Sequence, residues 1–144
     1  MFHCSFNSLA GFGSVGRAAL AAVLIATGSV AAVGAANVAD LEGSWNGSGK
    51  IRYPSGETEN ARCRANFKKR GGGAGFSMTA VCATPSARVQ QTATLSRAGP
   101  NRFTGEFENA EYGISGSIQI TVNGDMLSAS LNGGGGSASF SLSR

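Results

Sequence analysis

Histidine is almost missing from this chain of 144 residues: the one copy, His3, lies ahead of the apolar run discussed below. Without imidazole there is no Ser-His or Cys-His pair to activate a nucleophile, and no ordinary histidine ligand for zinc. Charge is scarce at 14% of residues, and there are only 3 Pro, 3 Cys and 1 Trp. Low charge together with 42% hydrophobic residues argues against disorder, because such a chain has enough apolar surface to bury. Helical periodicity is absent after Leu41, where apolar residues nowhere recur at helical spacing over three turns. Glycine is the opposite case: 22 copies are about twice the usual share of roughly 7%.

Long apolar runs occur once. Residues 18–36, AALAAVLIATGSVAAVGAA, follow Arg17 and end in small residues, which is the pattern of a secretory signal cleaved after Ala35 or Ala36. The expected organisation is a signal peptide over 1–36 and one domain over 37–144, periplasmic or secreted, with no integral span in the mature form. Removal of the signal leaves eleven basic and eight acidic residues and two cysteines, Cys63 and Cys82. In an oxidising compartment these form one disulfide. A metal site is the competing reading, but two thiols without histidine would need carboxylates to complete a zinc shell, so no metal and no cofactor are expected.

The mature chain alternates with period two, the sign of half-buried strands. Gly43, Trp45, Gly47, Gly49, Ile51 and Tyr53 share one face of the first segment, and Ala61, Cys63, Ala65 and Phe67 one face of the second. Phe76, Met78, Ala80 and Cys82 follow, and a hairpin centred on Gly71–Gly75 sets Phe67 opposite Met78 and Cys63 opposite Cys82. Later inward sets are Ala87 to Leu95, then Phe103 to Phe107, Ile114 to Val122, and Ala138 to Leu142. Asn123-Gly124 is the strongest two-residue hairpin signal and pairs Val122 with Asp125, hence Ile120 with Leu127 and Ile118 with Ala129. In the first hairpin Ile51 is expected opposite Ala61.

Eight short strands with one apolar face cannot remain an open sheet in water. The expected fold is all-β, an eight-stranded antiparallel up-and-down barrel, with a β-sandwich as the alternative. A membrane barrel would need its apolar band outside, whereas here Ser, Thr, Asn and Arg occupy the outward positions. Inward positions mix aromatics with Gly and Ala, so the barrel is either filled by interdigitation or holds an apolar ligand beside Gln91, the one inward polar handle found.

Leu41-Glu42-Gly43-Ser44-Trp45 carries a Gly-x-Trp signature on the first strand, and in this position it resembles the calycin group of lipocalins, avidin-like proteins and small bacterial metalloprotease inhibitors. With the export signal and the two cysteines on successive strands, the inhibitor family is the most similar. That resemblance implies an N-terminal arm entering a protease cleft, although only Asn37 to Asp40 are available and no second tryptophan occurs. Trp45 is expected to plug one end of the barrel. The lipocalin pattern implies a basic residue stacked on it, here Arg144 or Arg102.

Enzymatic chemistry is not expected, since the carboxylates Glu57, Glu59, Glu106, Glu108, Glu111 and Asp125 are assigned to turns or outward positions. The glycine runs 71–73 and 133–136 do not join a strand to a helix, so they are hairpin connections rather than phosphate cradles. Charge is the most specific surface feature. Lys50, Arg52, Arg62 and Arg64 point outward on the first two strands, and Lys68, Lys69 and Arg70 close the following hairpin. Such a stripe repels itself unless an anion is near. It marks an exported binding module for an anionic envelope component or acidic protein. A protease inhibitor and a carrier of a small apolar ligand are the alternatives. Nucleic acid is not expected, because no aromatics are interleaved with the cations.

Overall fold

The computed structural model describes residues 38–144. Residues 1–36, expected to be a signal peptide and including His3 and Cys4, lie outside the described residues. Eight strands follow in chain order: β1 Gly43–Arg52, β2 Thr58–Arg70, β3 Gly75–Ala83, β4 Arg88–Arg97, β5 Arg102–Asn109, β6 Ile114–Asn123, β7 Met126–Gly133 and β8 Gly136–Ser143. Each pairs antiparallel with the next, and β8 pairs with β1, so the sheet closes as an up-and-down barrel. Closure leaves no unpaired edge, which a single open sheet of this composition could not avoid.

The alternation seen in the sequence sets which side chains enter the lumen. Trp45, Phe67, Phe76, Leu95, Phe103, Ile118, Ile120 and Leu127 are fully buried, while the residues between them are mostly exposed. Closing eight strands needs sharp local bends, and glycine supplies them where two backbones come close. Gly105 faces Leu95, and a Cβ there would run into the carbonyl oxygen of Thr94. Gly116 and Gly133 face each other, and a Cβ on either would collide with the opposite backbone.

The hairpin between β2 and β3 has the expected register, Phe67 opposite Met78 and Cys63 opposite Cys82. Cys63 and Cys82 are joined by a disulfide across two neighbouring strands, with Cα atoms 4.1 Å apart. Two other registers differ from expectation by one step of two residues. Val122 faces Leu127, Ile120 faces Ala129 and Ile118 faces Leu131, because Gly124 and Asp125, not Asn123 and Gly124, form the two-residue loop. Gly124 takes the left-handed conformation at the first central position, φ 60°, while Asn123 stays in the ladder opposite Met126. Ile51 faces Glu59, and Ala61 faces Gly49 instead, because the turn is tightened by Tyr53: its N–H donates to Glu57 O and its carbonyl accepts from Gly56 N. A two-residue shift preserves the face of every side chain, so the apolar lining survives both corrections.

The turns after β2, β4 and β6, with residues 38–42, lie at one end, called the base; the turns after β1, β3, β5 and β7 form the other, called the mouth. The glycine run at the mouth contributes less loop than expected, since Gly133 and Gly136 are strand residues facing each other and only Gly134-Gly135 make the turn.

The base is sealed. Trp45 is fully buried, and its Nε1 donates to the Leu41 carbonyl at 3.0 Å, which satisfies the polar tip of an otherwise apolar plug. The Arg144 guanidinium lies 4.4 Å from the Trp45 ring centre. It also donates to Glu42 O and stands 3.5 Å from Asp125. Arg102, the other candidate for this stacking, is on β5 and has no such contact; Arg97 instead covers Phe103 at 4.6 Å. Phe103 meets Phe76 edge-on, centroids 5.2 Å apart.

Candidate ligand-binding cavity

The mouth is hollow where the base is full. A cavity of about 390 Å³ opens there, walled by Ile51, Val89, Phe107, Ile114, Leu131 and Phe140. Ala87, Ala138, Gly133 and Gly136 also line it, and these small side chains are what leave the space. The interior is therefore neither filled throughout nor hollow throughout.

Two buried polar side chains line it, Gln91 and Asn109. Gln91, on β4, is nearly buried and lines the cavity floor; among the described residues its amide makes one weak contact, Nε2 to Cys82 Sγ at 3.9 Å. A buried amide with so little protein hydrogen bonding is free to serve a ligand. Asn109, at the end of β5, is also buried and lines the cavity, but its Oδ1 accepts from Tyr112 N at 3.1 Å and so shapes the turn after β5. Tyr112 itself is half exposed on the rim.

Glu59, which does not line the cavity but holds the rim residues Tyr53 and Ser86, corrects the sequence reading. It was assigned to a turn, but it lies within β2 opposite Ile51, on the face shared with Ala61 and Cys63. Its Oε2 accepts from Ser86 Oγ at 2.7 Å and from Tyr53 Oη at 2.8 Å. These donors, Ser86 first, with Thr84 beside it and Tyr53, hold the Glu59 carboxyl below the ordinary carboxylate range. The contacts tie the turn after β1 to the turn after β3 across the rim. Counting the alternation back two residues past Ala61 would have revealed it; Asn109 follows likewise from Phe107.

The structure divides the seven cations of the expected stripe. Lys50, Arg52, Arg62 and Arg64 do face outward, but each is opposite a polar or small neutral residue of the partner strand: Asn60, Thr58, Ser48 and Asn46. The side-by-side placement expected from an Ile51–Ala61 pairing is thus replaced by a staggered one, with Arg64 Nε donating to Asn46 Oδ1 at 3.1 Å. Lys69 turns to the base, where it stands 3.5 Å from Glu42 and 3.9 Å from Asp40, two carboxylates left out of the charge reading. Arg70 reaches Thr94, and Lys68 is exposed opposite Ser77.

The stretch proposed as an arm is described from residue 38. Ala39 N donates to Pro100 O at 2.9 Å, and Ala39 O accepts from Arg97 at 2.9 Å, so from this residue onward the chain is part of the base.

No family model matches the chain, and no curated protein matches it. Solved structures similar in fold include a redesigned β-barrel, mFAP1, bound to DFHBI, with TM-score 0.62 and 12% identity over 76% of this chain and 100% of that one. Another is a de novo designed fluorescence-activating β-barrel, with TM-score 0.57 and 13% identity over 76% of this chain and 98% of that one. At such identities the likeness is one of fold: this chain is a closed, eight-stranded antiparallel up-and-down barrel.

Proposed function

We propose that this protein is a non-enzymatic carrier that holds a small, mainly apolar molecule in the mouth of its barrel. The observation that carries this reading is the cavity of about 390 Å³, apolar on its walls and bordered by a few polar groups. Its size falls in the range of roughly 300–1,000 Å³ typical of small-molecule sites, and the sealed base gives it a single entrance. That mFAP1, a barrel of the same fold, is bound to DFHBI supports the reading. The disulfide supports an oxidising, exported setting, periplasmic or secreted. The anchoring of Ala39 at the base favours carriage over protease inhibition by a free arm.

Titration with the apolar fluorophore 1-anilinonaphthalene-8-sulfonate tests this. The folded protein is expected to bind it saturably at one site. Ala138→Phe and Ala87→Phe, which fill the cavity from two walls, should each weaken binding at least about tenfold while circular dichroism stays unchanged. No saturable binding, or equal binding by both filled variants, would overturn the proposal.

A further inference from the structure

A second site lies on the outer wall, away from the cavity, and does not rest on the carrier reading. Three strands place Arg62, Ala83 and Arg88 in one row: Arg62 faces Ala83 across β2 and β3, and Ala83 faces Arg88 across β3 and β4. Neighbouring strands are about 4.8 Å apart, so the two arginines flank the alanine with Cα atoms roughly 10 Å from each other. Arg64 stands in the next row, opposite Val81. Together these residues and Asn46 line an open depression whose floor is small and apolar.

Charge is uncompensated there. No carboxylate lines the depression, and among the described residues Arg62 and Arg88 make neither an ion pair nor a side-chain hydrogen bond. Lys69 and Arg144, by contrast, have acidic neighbours. Three clustered guanidiniums repel one another, and a bulkier residue at position 83 would separate them. Alanine leaves the space between them open. Guanidinium forks match planar or tetrahedral oxyanions, and three guanidiniums, two from β2 and one from β4, suit the higher charge and three terminal oxygens of a phosphate better than the single charge of a carboxylate.

We infer that Arg62, Arg64 and Arg88 form a binding site for a terminal phosphate, either free or carried as a monoester. Its source is either a soluble phosphate compound or a phosphomonoester lipid headgroup, and the chemistry of recognition is the same. Arg88 was not among the cations singled out in the sequence, because it belongs to the fourth strand and joins the others only through the sheet.

The test measures binding of the full barrel to inorganic phosphate by calorimetry, and to phosphatidylcholine vesicles with and without phosphatidic acid by co-sedimentation, at constant ionic strength. Arg62→Gln and Arg88→Gln should each weaken whichever arm binds by about tenfold, the worth of one charge-assisted hydrogen bond. Lys68→Gln and Arg70→Gln, which remove the same charge outside the depression, should change it less than about twofold, and acetate should compete poorly. Phosphate binding identifies a soluble source, and binding only to phosphatidic acid vesicles a headgroup. Failure of both arms, or equal losses in all four variants, would overturn the site. Circular dichroism of each variant checks folding, which exposed strand positions should not disturb.

Discussion

The base and the mouth of this barrel are built from the same eight strands, yet one is solid and the other hollow. At the base Trp45, Phe67, Phe76, Leu95 and Phe103 interlock, and two arginines lie over two of the rings. At the mouth Ala87, Ala138, Gly133 and Gly136 occupy corresponding inward positions and leave about 390 Å³. The difference teaches that one barrel can divide its tasks along its axis: large side chains at one end supply stability, and small ones at the other leave room for a guest. Buried bulk stabilises in proportion to the apolar area removed from water, so the sealed half carries the greater share of the fold's energy.

The sharpest way to break the comparison is to hollow the base. Trp45→Ala removes a fully buried ring, its hydrogen bond to Leu41 and its contact with Arg144, and is expected to cost about 3–5 kcal/mol in urea unfolding. Next comes the crosslink between β2 and β3. Reducing Cys63–Cys82, or replacing both residues by Ala, opens a loop of 19-residue separation and should cost about 3 kcal/mol, read as a drop in the thermal midpoint.

Arg144→Gln should cost less, about 0.5–2 kcal/mol, since it removes a partly exposed cation from the Trp45 face while leaving the ring buried. Filling the mouth sharpens the contrast from the other side: Ala138→Phe should shift stability by less than about 1.5 kcal/mol while weakening dye binding at least about tenfold, because it enters empty space.

The smallest effect is the rim's response to acid. Glu59 has a folded pKa below its unfolded value, so its contribution is present above the unfolded pKa and is lost as pH falls through the depressed one. Glu59→Gln should therefore lower stability slightly near neutral pH and flatten the acid side of the profile, with variant and parent converging once pH falls below the depressed pKa. A steeper acid loss in the variant than in the parent would contradict the hydrogen-bonded carboxylate described here.

Period-two alternation was enough to read eight strands, their inward faces and the closure of the sheet, because a strand's sidedness is a local property of the backbone. The Cys63–Cys82 pairing was legible for the same reason, since a glycine-centred hairpin and two thiols on one face leave one register. Glu59 and Asn109 obey that alternation too, and were missed where the count stopped at the strand ends. The two slipped registers show the limit: parity follows from the pattern, but a shift of two residues preserves parity and depends on hydrogen bonds within the turn, as at Tyr53 and Gly124.

The sequence by itself determined a closed, disulfide-linked barrel with a polar outside and an apolar lining, since both follow from residue types at alternating positions. Tertiary structure alone decided where along the axis the lining is bulky and where it is thin, which arginine covers Trp45, and which cations converge. Those depend on strand stagger and cross-strand neighbours, distances that only closure of the sheet brings into being.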